Sequence, residues 1–363
     1  MLIRRNRLFR KVLLSAFLLL LLILLNLAGK EPQAVEQYYS QGIYRFFSKI
    51  FQAIFNPIPF SVGDLWYLIL TVAIVLMVLR MLNFLFRRQF LSLGTTLVNF
   101  IIAAQILILG FYILWGMNYY RPPASVRLDL PDSSYTKTEL LQVTQQLIDS
   151  ANAIRRRVPA ADFNLSDSAI LKKSVSAVHR LAQRSPEFKT FQPNVKLSLI
   201  SGAVSYLGTA GYYNPFTSEA QINPKMPVWL KPLTACHEMA HQMGFNREDE
   251  ANFVGFLAAK DSEDALIRYS AYYMAVEEFM FEAMLRDTVA YKNLRESISG
   301  QVMNDFKTDQ QFWLSYRGVA GELSSIFYDN YLKFNNQPEG LRTYNRMIRL
   351  TMAWYKKDFG KSL

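Results

Sequence analysis

The stretch Pro232-Leu233-Thr234-Ala235-Cys236-His237-Glu238-Met239-Ala240-His241-Gln242-Met243-Gly244 decides how the second half of the chain is read. Proline suits the first turn of a helix and glycine its C-terminal cap, so these residues predict one short helix of about three turns. Histidines four positions apart on a helix project from the same face, where both imidazoles can reach one metal ion with the glutamate between them beside it. The pattern is HExxH. The chain holds only 3 histidines, and its own His and Glu frequencies predict about 0.001 chance occurrences of the motif. The competing reading, ordinary polar residues stacked on a helix, has that coincidence against it.

A catalytic zinc usually takes three protein ligands and keeps a fourth position for water. A third histidine in the spacing HExxHxxGxxH is ruled out, because Arg247 occupies the place. The acids that follow are Glu248, Asp249 and Glu250. With Asn246 as N-cap, Glu248 and Asp249 fall in the first turn of the next helix, where the helix dipole favours acids that have no other role. Glu250 has Phe253, Val254 and Leu257 at i+3, i+4 and i+7, so it shares an inward stripe in which an unpaired carboxylate would be very costly. Metal ligation would remove that cost. The expected metal ligands are therefore His237, His241 and Glu250, with Asp249 or Glu248 next and Glu277, Glu278 or Glu282 of a later helix after them. Zn2+ is the expected cofactor and Glu238 the expected catalytic base. Cys236 reads as a small buried residue rather than a fourth ligand, and His179, on a polar helix far upstream, as a surface or half-buried histidine.

Outward from this motif the chain changes character. Its 363 residues are 51% hydrophobic, which excludes disorder, but the apolar residues are concentrated before residue 121. Val12 to Ala28, Leu65 to Leu82 and Leu97 to Gly116 are each long enough to span a bilayer as helix. The first reads as a retained anchor, since Asn26-Leu27-Ala28 fits a signal-peptide cleavage site poorly. Trp115, Tyr119 and Tyr120 stand where an interfacial aromatic belt is expected. The net charge is +11, and most of it comes from Arg4, Arg5, Arg7, Arg10 and Lys11 and from Arg80, Arg87 and Arg88. Both clusters flank apolar segments, so the charge sets membrane orientation and argues against a nucleic-acid partner. Placed in the cytoplasm, they leave the N-terminus inside, the loop from Gly29 to Asp64 outside, and everything after Tyr120 outside. Ile43, Phe46, Phe47, Ile50, Phe51 and Ile54 recur at helical spacing within that loop, as in a helix lying on the outer leaflet or one packed on the neighbouring spans.

The expected organisation is thus a transmembrane region over 1–120 and an extracytoplasmic metallohydrolase domain over 121–363, periplasmic if the cell has an outer membrane. Thr136 and Glu139 have capping-box spacing at the head of a helix to about Val158, and a second helix runs from about Asp167 to Gln183. Val195, Leu197 and Leu199 alternate with polar residues as in a half-buried strand. A loop rich in Gly and Tyr follows from Ser201 to Pro215, and Glu219 to Asn223 reads as a second short strand. Ser218 to Asn223 is the segment nominated to pair with an extended peptide, which puts Glu219, Ala220, Gln221 and Ile222 at the substrate, with Tyr212 and Tyr213 nearby. A hydroxyl donor for the transition state is sought among Tyr206, Tyr212, Tyr213, Tyr269, Tyr272 and Tyr273. From Pro232 onward the chain reads as helix, and Arg342 to Lys357, with Tyr344, Ile348 and Trp354, either packs on the domain or touches lipid headgroups.

The run from His237 to His241, followed by Gln242, Gly244 and Glu248-Asp249-Glu250-Ala251-Asn252-Phe253, resembles an uncharacterised bacterial family of three-helix membrane proteins. That resemblance covers most of the chain, including Pro215-Phe216-Thr217 to Asn223. The site alone also resembles the gluzincins, zinc metallopeptidases with a glutamate as third ligand, and the Glu-Ala-Asn-x-Phe pattern is similar to metallopeptidases that cut regulatory proteins. These resemblances imply a mainly helical α+β zincin-like domain with a small sheet, membrane-anchored, that hydrolyses peptide bonds. The bilayer and a peptide or protein substrate are the expected partners. The alternatives are a non-catalytic membrane scaffold with a zincin-like fold, or a zinc amidase acting on cell-wall peptides.

Overall fold

A computed structural model describes residues 2–130, 134–338, 340 and 346–358. Numbering the α-helices of eight or more residues in chain order, α1 (Leu2–Ala28), α3 (Val62–Phe86) and α4 (Phe90–Leu114) contain stretches long and apolar enough to cross a membrane. Between α1 and α3 lie a π-helical segment, Val35–Tyr44, and α2 (Arg45–Phe55). Then follow α5 (Lys137–Arg155), α6 (Asp167–Leu181), β1 (Val195–Leu197), β2 (Gly211–Asn214), β3 (Glu219–Ile222), α7 (Lys231–Gln242), α8 (Glu248–Lys260), α9 (Ala265–Arg286), α10 (Thr288–Glu296), α11 (Gly300–Ser315), α12 (Val319–Phe334) and α13 (Arg346–Asp358). The chain is mostly helical, with one small sheet.

Local chemistry accounts for most boundaries. Thr136 and Glu139 form the reciprocal capping box, with Glu139 Oε2 accepting from Thr136 N at 2.6 Å. Ser61 Oγ accepts from Asp64 N and starts α3 three residues before the apolar run. Inside the spans, Ser15 Oγ donates to Gln105 Oε1 at 3.0 Å and Gln105 Nε2 donates to Ser15 O at 3.1 Å. These bonds hold α1 against α4 in a setting where water offers no competition. The loop expected from Ser201 to Pro215 contains a short helix, Ser201–Tyr206, and β2. Ile348 and Trp354 are buried in the main core, which settles α13 as a packed helix; Tyr344 lies outside the described residues.

Several expectations are corrected. Glu219, Ala220, Gln221 and Ile222 do form a strand, but β3 is the centre of the sheet, parallel to β1 on one side and antiparallel to β2 on the other. Both of its edges are taken, so it cannot receive a peptide. Glu219 is fully engaged: it pairs with Lys196 at 2.5 Å and accepts from Val62 N and Gly63 N at the positive end of α3. The Lys196 ammonium also donates to Phe55 O and Phe60 O. The N-terminal end of α3 is therefore joined to the sheet. Trp115 and Tyr119, read as an aromatic belt, are buried instead, in a cluster with Val35, Tyr39, Tyr44, Met117 and Tyr213. The third span ends at Leu114, and the aromatics that follow belong to a short 3-10 turn packed on the domain.

The helix α2 has an unusual polarity. Its buried residues are Ser48 and Gln52, and Gln52 binds Thr190 and the backbone of Gln192. Phe46, Ile50 and Ile54 face outward. The polar side thus meets protein and the apolar side meets the surroundings, the arrangement expected of a helix lying in a bilayer surface.

Removing one partner of the buried Lys196–Glu219 pair should be expensive. K196M is expected to cost about 3 kcal/mol, seen as a lowered thermal transition of the detergent-solubilised chain, and K196M/E219Q is expected to recover part of that loss.

Candidate metal centre

The short helix α7 carries Pro232 in its first turn and ends before Gly244, whose φ of +84° is open to glycine and costly for other residues. Gly244 turns the chain back so that α8 begins beside the C-terminal end of α7. His237 and His241 stack at a centroid distance of 4.8 Å, with their rings nearly perpendicular at 89°. Ligand atoms of His237, Glu238 and His241 all lie within 4.8 Å of one another, and the three residues are buried or nearly so.

Each imidazole is held by its other nitrogen. His237 Nδ1 lies 2.7 Å from Asn252 Oδ1, and His241 Nδ1 lies 2.7 Å from Phe245 O. The carbonyl of Phe245 can only accept, so His241 carries its proton on Nδ1; the same assignment at His237 makes Asn252 the acceptor. Both Nε2 lone pairs then point to one place, as in metal-ligating histidines whose second nitrogen is tied to an acceptor.

Glu248 faces that place. Its Oε2 is 3.2 Å from His237 Nε2 and its Oε1 is 3.8 Å from His241 Nε2. Glu250, the expected third ligand, is elsewhere: it is buried as its apolar neighbours required, but it pairs with Arg127 at 2.9 Å and accepts from Ala124 N at 2.8 Å. The cost that ligation was meant to remove is met by a guanidinium from the segment after Pro122-Pro123, which also stacks on the Phe245 ring at 4.4 Å. Among the later acids, Glu282 pairs with Arg286, and neither Glu277 nor Glu278 is among the described groups that converge on the imidazoles.

Electrostatics agree with the geometry. Burial pushes the Glu238 carboxyl up to about 8, with His237 opposing and the Glu248 charge adding. Burial pulls His241 down to about 4 against the attraction of Glu248. At His237 burial also disfavours charge, but its hydrogen bond to Glu248 and the nearby Glu238 carboxylate raise it to about 9. Glu248 is desolvated too, yet the hydrogen bond from His237 and the two imidazoles lower it to about 2. Burial is the largest cause at all four groups, and the charges of the acids and imidazoles on one another set the differences between them. Glu238 Oε2 is buried with no hydrogen-bond partner among the described residues, an orphan that a substrate or water in the site would satisfy. The donor set of two imidazoles and a carboxylate suits zinc.

The surroundings come from across the chain. Tyr44 Oη donates to the carbonyls of His241 and Gln242, Trp115 Nε1 donates to His241 O at 3.3 Å, and Arg121 Nη1 donates to Gly244 O at 3.0 Å. These donors satisfy carbonyls that a helix end leaves open. A Cβ at Gly211 would lie 2.6 Å from Glu238 Oε1, so β2 passes directly over the Glu238 carboxyl. Tyr213 reaches the site through its ring, 6.4 Å from that of His241, whereas Tyr212 is committed to Asp64 and Ser198. Tyr269 and Tyr273 bind Asp305 and Asp309, and Tyr206 is exposed against Tyr316. The tyrosine that does reach a ligand was not singled out by the sequence. Tyr328 of α12 donates to Glu248 Oε1 at 2.6 Å. Its distance of 80 residues along the chain leaves no local signal. Cys236 is buried and points to Ser174 O, and His179 is exposed.

A family model described as a protein of unknown function, DUF3810, matches residues 39–352. The chain belongs to the DUF3810 family. The match takes in the last two spans, the sheet, α7, α8 and α12, and so every residue placed above around the imidazoles. No curated protein and no solved structure matches the chain.

Metal analysis of the purified protein separates the two acids. E248A is expected to lose most of its zinc, while E250Q is expected to keep wild-type zinc and lose stability by about 1–3 kcal/mol. N252A, which frees the ring of His237, is expected to weaken zinc affinity by about 10- to 100-fold.

Proposed function

We propose that this DUF3810 protein is a membrane-anchored zinc metallopeptidase. The observation that carries the reading is the convergence of His237 Nε2, His241 Nε2 and the Glu248 carboxylate beside a non-ligating, buried Glu238. A structural metal needs ligands only; a base with an unpartnered oxygen next to them has a use in hydrolysis.

His237, His241 and Glu248 would hold the ion. Zinc in that position supplies Lewis acidity, polarising a scissile carbonyl and bringing the pKa of a water towards about 7. Glu238 does the proton work: its Oε2 takes a proton from the attacking water and delivers it to the departing amine nitrogen, which needs that proton to leave as a neutral amine. Asn252 and the Phe245 carbonyl keep the imidazoles in the ligating tautomer, and Tyr328 positions the Glu248 carboxylate through its hydrogen bond.

For the substrate, β2 replaces the nominated β3. It is an edge strand, paired only with β3 among the described residues, and Gly211 brings its backbone against Glu238. An extended peptide added to that edge would run past the base, with main-chain hydrogen bonds fixing its register. The orientation of the chain in the bilayer follows from its ends. Arg10, Lys11, Arg80, Arg87 and Arg88 lie where α1 begins, α3 ends and α4 begins, and the site is joined to the opposite ends of the same helices. With these basic residues on the cytoplasmic side, the site would lie outside the cytoplasmic membrane.

E238Q tests the reading. It is expected to retain zinc at the wild-type ratio and to lower peptide hydrolysis by about 10²- to 10⁴-fold; equal turnover by both proteins, or zinc bound to neither in chelator-free buffer, would overturn it.

A further inference from the structure

The helix α12, Val319–Phe334, is built inside out for a helix in water. The side facing the protein carries Gly321, Ser324, Tyr328, Tyr331 and Asn335 as well as Leu332, whereas Val319, Leu323, Ile326, Phe327 and Phe334 point away. Their exposures of 71, 63, 60, 74 and 76% leave a largely apolar stripe over the length of the helix, interrupted by the exposed Asn330 on the same face. A water-facing helix would bury such a stripe, and an exposed one of this size marks a contact surface. Glu322, Ser325, Asp329 and Lys333 form a third sector along one edge, with Lys333 paired to Asp329 at 2.6 Å. An apolar side flanked by a charged edge is the pattern of a helix lying in a membrane surface.

The surroundings identify what the stripe meets. Tyr331 packs on Phe111 at 6.2 Å, Tyr331 Oη contacts Tyr119 Oη at 3.2 Å, and Tyr112 donates to Asn335 Oδ1 at 3.1 Å. Phe111 and Tyr112 belong to the last turn of α4, so α12 is moored to the end of a membrane span at the bilayer face where the site lies. Phe46, Ile50 and Ile54 of α2 project from the same end of the bundle with the same inverted polarity. Lipid around α4 would thus be continuous with the region beyond α12.

We infer that the apolar side of α12 is seated in the bilayer interface, that its other side roofs the metal centre through Tyr328 and Glu248, and that the site serves polypeptides held at the membrane by an anchor of their own. The substrate class rests on the peptidase reading; the seating of α12 does not. A helix is about 10 Å across, so a carboxylate bound to its inner face lies about one helix diameter from the lipid its outer face touches. A segment tethered to that same surface reaches the edge of β2 at a far higher effective concentration than a free peptide does.

Single-cysteine labelling tests the seating, because the native Cys236 is fully buried. Bimane is attached at L323C, I326C, F327C and, on the polar edge, S325C, in the full chain reconstituted into phosphatidylcholine and phosphatidylglycerol vesicles. Doxyl-labelled phosphatidylcholine is expected to quench the first three positions strongly and S325C weakly, with iodide in the buffer giving the reverse order. Iodide access at L323C and F327C without lipid quenching would overturn the seating, as would protection from both quenchers, which would mean that protein covers the stripe.

The substrate class is tested with a mixed-sequence peptide library, presented either free or palmitoylated on the vesicles. The anchored form is expected to be cleaved roughly tenfold faster or more, and L323D/F327D is expected to abolish that preference while retaining zinc. Equal cleavage of both forms by the wild type would overturn the substrate class. Cleavage of neither form, with the quenching pattern intact, would overturn the peptidase reading and leave the membrane seat standing.

Discussion

Two imidazoles whose Nδ1 protons are committed to fixed acceptors can offer only their Nε2 lone pairs to the interior, and the rest of the domain is arranged around that restriction. Asn252 and the carbonyl of Phe245 impose it, one from α8 and one from the turn that joins α7 to α8. A carboxylate then faces the lone pairs, which is tolerable in a dry interior only when positive charge lies between them. Gly244 makes this possible by reversing the chain within a few residues, so that the first residue of α8 comes back to the helix just left.

The same region is where the membrane part and the sheet meet the site. Tyr44, Trp115 and Arg121 close the C-terminal end of α7, and Arg121 is itself fixed by Glu36 at 2.6 Å. On the other side, Lys196 and Glu219 join the sheet to the start of α3, and Asp64 of that helix holds Tyr212 of β2. Glu238 is thus bracketed by a strand tied to one apolar helix and a helix whose end is capped from the end of another.

Features decided by local chemistry were legible in the sequence. The HExxH helix and its proline and glycine boundaries, the Thr136 capping box, the three apolar spans and the strand at Glu219–Ile222 all follow from neighbours a few residues apart. What failed depended on partners distant in the chain. The stripe through Phe253, Val254 and Leu257 correctly predicted that Glu250 is buried, but Arg127, 123 residues earlier, neutralises it. Glu248 looked like a first-turn acid and is one; its second role depends on how tightly Gly244 folds α8 back. A short strand carries no sign of whether it is central or at an edge, so the sequence points to β3 for peptide pairing although β2 is the strand with a free edge among the described residues. Trp115 and Tyr119 have the composition of a lipid belt, and only the packing of His241 and Tyr213 beside them shows that they face protein.

The donors on the carbonyls of His241, Gln242 and Gly244 bear on how separable the two halves of the molecule are. The side-chain donors among them, Tyr44, Trp115 and Arg121, come from residues up to Arg121, within or just after the apolar helices. A protease that shed the globular half by cutting just after Arg121 would strip the hydrogen bonds from the end of the helix that presents both imidazoles. For the proposed peptidase, release from the bilayer would then act as an off-switch.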